Sequence, residues 1–319
     1  MKPLSVAALL QAKKETLGLE LLTDERGAAR EITTPEISSP GLVLTGFTER
    51  FPADRMQVLG ETEIAFLGSL DEDRRREAIE LFLSLDLPVV FVTKAQDPPE
   101  PLVELANERG TPVIRSGLKT AEFYQRIKPF LEDWFAPSVT MHGSLADVYG
   151  VGLLFMGRSG IGKSETVLDL VERGHRLVAD DLVQVTRRGN EVLIGRGHEL
   201  QRHHMEIRGV GIIDVHELFG IRAIRQQKRI EVIVHLEIWD HGTEYDRTGL
   251  DPLSTEILGV SIPKVVVPLN PGKNITVISE VVAMNHLLKY TGVDSAAIFD
   301  RRLRSRMQET WEYLEEDYE

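Results

Sequence analysis

The run Gly157-Arg158-Ser159-Gly160-Ile161-Gly162-Lys163-Ser164 fits the spacing G-x-x-x-x-G-K-[ST]. Residues of these types in this order suit one task, holding a chain of phosphates. The glycines let the backbone curl so that successive N–H groups face an anion. A helix starting at the end of the loop adds its positive N-terminal end. Lys163 then reaches the β- and γ-phosphates, and the Ser164 hydroxyl is a hard oxygen suited to Mg2+. The context agrees. The apolar stretch Val151–Met156 runs straight into the loop, and Ser164, Val167, Leu168, Leu170 and Val171 continue it at helical spacing.

After that helix, Leu177-Val178-Ala179-Asp180-Asp181-Leu182 sets two carboxylates at the end of a short apolar stretch. The next strand of a P-loop fold often lies beside the first, which would bring this end towards the phosphates. Adjacent acids on an extended segment point to opposite faces. One can then take the proton of a hydroxyl nucleophile while the other serves the metal or a positioning contact. By itself the dipeptide would be a solvated turn; next to a P-loop helix it reads as part of a site. Spacing does not separate the two roles.

The rest of the chain must position these groups. Residues 1–132 alternate helical and extended patterns. Asp71-Glu72-Asp73 precedes a helix with Ala78, Ile79, Phe82 and Leu83 on its core face, and residues 88–93 read as a short buried strand. Residues 99–109 and 119–134 fit helices, with residues 111–114 extended between them. Strands separated by helices predict a small α/β domain over 1–135. Pro137 marks the boundary to a second domain over 136–319. There, residues 139–156 read as strand and residues 184–195 as a hairpin turning at Gly189-Asn190. Residues 230–239 are expected to put Ile230, Val232, Val234, Leu236 and Ile238 on one face, and the last 25 or so residues read as helix. His203-His204 lacks a third ligand at a recognisable spacing and reads as loop.

Composition narrows the function classes. The 319 residues are 42% hydrophobic and 27% charged, enough for two cores in an ordinary globular protein. The net charge of −13, with no basic run, argues against nucleic acid and anionic lipid as partners. With no cysteine, disulfides, thiolate catalysis and cysteine-held zinc are excluded. No apolar run approaches the ~20 residues of a membrane span, and the N-terminus does not read as a signal peptide. A cytoplasmic protein is expected.

Further elements carry a family resemblance. His142-Gly143-Ser144-Leu145-Ala146-Asp147-Val148-Tyr149-Gly150-Val151-Gly152 leads into the loop, and Arg173-Gly174-His175-Arg176 leads into the acidic pair. Then follow Met205-Glu206-Ile207-Arg208-Gly209-Val210-Gly211-Ile212-Ile213-Asp214, Tyr245-Asp246-Arg247-Thr248-Gly249-Leu250 and Pro268-Leu269-Asn270-Pro271-Gly272-Lys273-Asn274. In order and spacing this resembles the HPr kinase/phosphorylase family, closely over about 138–300 and more weakly over 1–135. The resemblance implies an α/β fold with a P-loop catalytic domain related to phosphoenolpyruvate carboxykinase. It implies a homohexamer that phosphorylates a seryl residue of the phosphocarrier protein HPr with ATP and Mg2+. The reverse reaction would consume inorganic phosphate and release pyrophosphate.

Carried onto this chain, the resemblance makes Asp181 the proton acceptor, Ser164 and Glu206 the Mg2+ ligands, and His142, Lys163 and Arg247 catalytic, with Asp180 beside them. It makes 268–273 the dephosphorylation segment. Where the family pattern has two arginines there, this chain has Asn270 and Lys273, so phosphorolysis is expected to be weakened. Arg158 stands where the family often has an acid. Two other readings are a P-loop phosphotransferase with a different substrate and an ATP-sensing module without catalysis. Asp180, Asp181 and Glu206 argue against the second.

Overall fold

The computed structural model describes residues 3–198, 201–240, 242, 245, 253–270 and 272–316. The chain divides into two compact units, Met1–Ala136 and Pro137–Glu319.

In the first unit the sheet order is Leu19–Leu21, Val113–Ser116, Val90–Val92, Met56–Leu59, Ile37–Ser38, parallel except for the Leu19–Leu21 edge. Side chains alternate across a strand, and here both faces are covered. Val90 and Val92 join the core with Ile79, Phe82 and Leu83 of the helix Glu72–Leu83. Phe91 faces the opposite core, against Phe123 and Ile127 of the helix Thr120–Trp134. Burial on both sides explains why these strands read as unbroken apolar runs.

The second unit is layered. Its larger sheet runs Arg176–Ala179, Ser144–Val148, Val151–Met156, Val232–Ile238, Val260–Leu269, Leu253–Ile257, with the three consecutive strands from Val151–Met156 to Val260–Leu269 mutually parallel. Leu153 and Phe155 pack towards Val167 and Leu170 of the helix Lys163–Glu172. Leu154 faces the other way, into a core shared with the antiparallel sheet Gln227–Arg229, Val192–Gly197, Leu182–Arg188, Ser138–His142. The hairpin between Leu182–Arg188 and Val192–Gly197 turns at Gly189, where φ is +61°.

Several expectations change. The stretch 139–156 is three strands, Ser138–His142, Ser144–Val148 and Val151–Met156. The strand carrying the acidic pair is not beside the loop strand, because Ser144–Val148 lies between them. The apolar face of 230–239 is not continuous either. Val232, Val234 and Leu236 share one core, Ile230 packs with Ile233 in the other, and Ile238 is 50% exposed. His204 is not loop but the first residue of the strand His204–Ile207. The helix Ile275–Tyr290 carries no element in the sequence reading.

Candidate active site

The loop strand ends at Met156 and Gly157 follows it with a φ of +144°; a Cβ there would stand 2.5 Å from the Leu236 carbonyl oxygen. Gly160 and Gly162 also adopt left-handed backbone, at +73° and +103°, and Gly162 caps the helix Lys163–Glu172. Only glycine takes these angles without strain, so the motif residues produce the anion-binding curl directly.

Lys163 is buried, and its Nζ donates to the carbonyl oxygens of Gly157 and Arg158, 3.1 Å in each case. His142 Nε2 lies 3.4 Å from the same Nζ. The other ring nitrogen, Nδ1, is 3.0 Å from Asp181 Oδ1. Facing an ammonium, Nε2 is the acceptor, so the ring proton sits on Nδ1 and is donated to Asp181. Pairing in register fixes this line of three side chains. His142 ends the strand Ser138–His142 opposite Leu182, and Gly143 N–H donates to the Asp181 carbonyl at 3.0 Å.

Asp180 and Asp181 are not on an extended segment. Asp181 has φ +64°, and this left-handed residue turns the chain so that both acids line one cavity with Lys163 and Ser164. Their environments differ. Asp180 is only 5% exposed, and its Oδ1 accepts from the hydroxyls of Ser144 and Ser164, the latter at 3.0 Å. Burial pushes the Asp180 carboxyl above the usual carboxylate range, against the opposing pull of the two hydroxyls. Asp181 is half exposed and open to an incoming group.

Glu206 reaches the cavity from the strand His204–Ile207, which alternates as expected. Met205 and Ile207 are buried in the core, and Glu206 lies on the other face. Arg208, at the turn that follows, and Glu165, in the first turn of the loop helix, also line the cavity. Ser144 and Arg208 fall within the sequence motifs, but spacing assigns neither a role. The long-range pairing that brings them here leaves no local signal.

Other residues singled out from sequence lie elsewhere. Arg158 is exposed, does not line the cavity, and Ile161 packs against the core. Pro268 and Leu269 end the strand Val260–Leu269, Asn270 is exposed, and Gly272 turns the chain at φ +85°. Lys273 Nζ donates to the Pro268 carbonyl at 3.0 Å, bracing its own loop, and none of these residues lines the cavity. Arg247 and Pro271 lie outside the described residues. Among the described residues no cluster of three or more His, Asp or Glu is placed to hold an ion. A Mg2+ site needs none, since this ion commonly takes one or two carboxylates and completes its shell with water and substrate phosphates.

Known proteins resemble this chain along its length. Residues 133–303 match the HPr Serine kinase C-terminal domain, and residues 4–131 match the HPr Serine kinase N terminus. An HPr kinase/phosphorylase of Chloroherpeton thalassium is 47% identical, over 100% of this chain and 97% of the relative. One from Bacillus cytotoxicus is 44% identical over 92% of this chain and 95% of its own length. The solved Hpr(Ser) kinase/phosphatase of Coxiella burnetii is 35% identical, with a TM-score of 0.45, over 50% of this chain and 98% of that one. The chain belongs to the HPr kinase/phosphorylase family.

Proposed function

We propose that this enzyme transfers the γ-phosphoryl group of ATP to a seryl hydroxyl of HPr, and that the same cavity runs the reverse phosphorolysis. The observation that carries the reading is the line Asp181–His142–Lys163 in the cavity formed by the phosphate loop. A non-catalytic nucleotide sensor has no use for a half-exposed carboxylate held by an imidazole beside the phosphate lysine.

In the forward direction the seryl Oγ attacks the γ-phosphorus, and its proton passes to Asp181. The bond from that phosphorus to the β–γ bridging oxygen breaks, and ADP leaves with the electron pair. His142 holds the Asp181 carboxylate in place, and Lys163 offsets charge on the phosphates. In the reverse direction an oxygen of inorganic phosphate attacks the phosphoseryl phosphorus. The bond to Oγ breaks, protonated Asp181 returns its proton to Oγ, and pyrophosphate leaves.

The oxygen donors of Ser164 and Glu206 suit Mg2+, a hard cation. Bound there with the nucleotide, the ion would neutralise charge on the β- and γ-oxygens. Asp180, accepting from Ser164, orients that hydroxyl.

The working assembly is a cytoplasmic homohexamer in this reading. No described helix is long and apolar enough to cross a membrane. Asn270 and Lys273 lie outside the cavity lining, so any weakening of phosphorolysis through them requires the 268–273 loop to approach the bound phosphates. Assaying both directions with Asp181→Asn tests the assignment. A positioned base contributes about 10²–10⁴-fold. Both rates should fall by that order while ADP binding stays unchanged. Undiminished transfer in this variant would remove Asp181 from the mechanism.

A further inference from the structure

The stretch His142-Gly143-Ser144 grips both members of the acidic pair. His142 lies against the Asp181 carboxylate, and Gly143 N–H donates to the Asp181 carbonyl. The hydroxyl of the next residue, Ser144 Oγ, donates to Asp180 Oδ1. The stretch is pressed against the loop strand, since a Cβ at Gly143 would stand 2.6 Å from the Phe155 carbonyl oxygen. Register then aims Ser144. Leu145 pairs with Ala179 in the antiparallel ladder, which sets Ser144 across from Asp180.

Ser144 stands where the pattern asks for an apolar side chain. Ala146 and Val148 share its face of the strand Ser144–Val148 and pack in the core with Val167 and Leu170 of the loop helix. Ser144 is fully buried, and a buried hydroxyl is costly unless it is paired. Its partner among the described residues is Asp180, and the same carboxylate oxygen accepts from Ser164 at 3.0 Å. One oxygen is thus fixed from two elements, the strand Ser144–Val148 and the first turn of the helix Lys163–Glu172.

We infer that Ser144 is a positioning residue, which fixes the Asp180 carboxylate so that Ser164 turns its free lone pairs towards the metal of the bound nucleotide. The inference rests on the Mg2+ reading above and adds the residue behind Asp180 to it. A hydroxyl has one proton and two lone pairs. With its proton committed to Asp180, Ser164 Oγ offers the cavity lone pairs, which a hard cation takes. The torsion of a carboxylate is broad, so Ser164 alone would leave Asp180 free to swing. A second donor on the same oxygen removes that freedom.

The rival role is packing, with Ser144 filling a small space and nothing more. Ser144→Val and Ser144→Thr have nearly one shape and differ in the hydroxyl; Ser144→Ala removes the hydroxyl without adding bulk. For each, calorimetry gives the ADP affinity with and without Mg2+, and kinetics gives the Mg2+ concentration for half-maximal kinase rate. Partners that orient a metal ligand typically carry about 10–100-fold in metal affinity or activity. Ser144→Ala and Ser144→Val should raise the Mg2+ requirement by about tenfold and lose most of the tightening of ADP by Mg2+. Metal-free ADP affinity should be unchanged, and Ser144→Thr should restore both metal readouts. Asp180→Ala should lose the same tightening, and adding Ser144→Ala to it should cost nothing further, because the serine acts through that carboxylate. An unchanged Mg2+ requirement in folded Ser144→Ala would overturn the inference. So would equal losses in the Thr and Val variants, a fall in metal-free ADP affinity, or a further loss in the double variant. If Mg2+ does not tighten ADP on the unmodified chain, the metal reading itself fails, and this inference with it.

Discussion

Each unit has an arginine lining a cavity, and the two are used in opposite ways. In the N-terminal unit Arg30 donates to the carbonyls of Gly110, Leu87 and Arg109 and to Asp86, at 2.7 to 3.0 Å. Its donors are committed to tying together loops far apart in sequence. In the C-terminal unit Arg208 lies on the phosphate loop with no partner among the described residues, in the same cavity as the half-exposed Asp181 carboxylate. A saturated guanidinium fastens a fold, whereas an uncommitted one in a shaped cavity is prepared for an anion. The C-terminal unit also contains an arginine committed to a protein carboxylate. Arg173 grips Glu280 through Nε at 2.9 Å and Nη2 at 2.6 Å, and His175 Nε2 lies 3.1 Å away, joining the C-terminal end of the helix Lys163–Glu172 to the helix Ile275–Tyr290. The distinction therefore follows the chemistry of each cluster rather than the domain.

That contrast predicts which substitutions change turnover and which change stability. The largest effect among the supporting residues is expected at Glu206. Glu206→Gln should raise the Mg2+ concentration for half-maximal rate by about tenfold or more, since a neutral amide is a poorer ligand for a hard cation. Its melting temperature should hardly move. An unchanged Mg2+ titration would separate Glu206 from the metal.

Arg30→Met should do the reverse. Several backbone carbonyls would lose a charged donor, at a cost of about 1–3 kcal/mol read from urea denaturation. The turnover of the folded fraction should be unaltered. A loss of turnover without a loss of stability would break the comparison, by giving the N-terminal cavity a part in the chemistry.

The smallest effect concerns acid stability. Arg173, with His175 adding to it, lowers the Glu280 carboxyl from the ordinary value of 4.5 to about 2. Its folded value being the lower, the ion pair stabilises fully above about pH 4.5 and loses that contribution as pH falls towards 2. The stability gap between the unmodified chain and Glu280→Gln should therefore be widest near neutrality and close on acidification. A gap independent of pH would mean that packing, not charge, holds the two helices.

Much of the site was legible because the phosphate loop is local. Strand, glycines, lysine and helix lie within residues 151–172, so spacing alone shapes them. The acidic pair was legible as chemistry but not as geometry. The different environments of its two acids come from a left-handed Asp181 and from a strand, Ser144–Val148, inserted where direct adjacency to the loop strand was expected. Ser144 acquires its part only when that strand pairs with Arg176–Ala179, and Arg208 only when the hairpin seats on Gly160. No periodicity reports such contacts. The helix Ile275–Tyr290 was obscured for a different reason. Ile275, Thr276, Val277, Ile278, Val281 and Val282 are β-branched and suit a strand equally well. The local signal was Asn274, whose side chain caps the helix by accepting from Val277 N–H at 3.0 Å.

The central claim is that the phosphate-loop cavity moves a phosphoryl group from ATP to a protein serine. The most direct measurement follows label from γ-labelled ATP to purified HPr, with the unmodified chain and with Lys163→Ala, both verified as folded by circular dichroism. The account predicts label on a seryl residue with the first protein and none above background with the second. Equal labelling by the two proteins, or none by an unmodified chain that binds ATP, would contradict it.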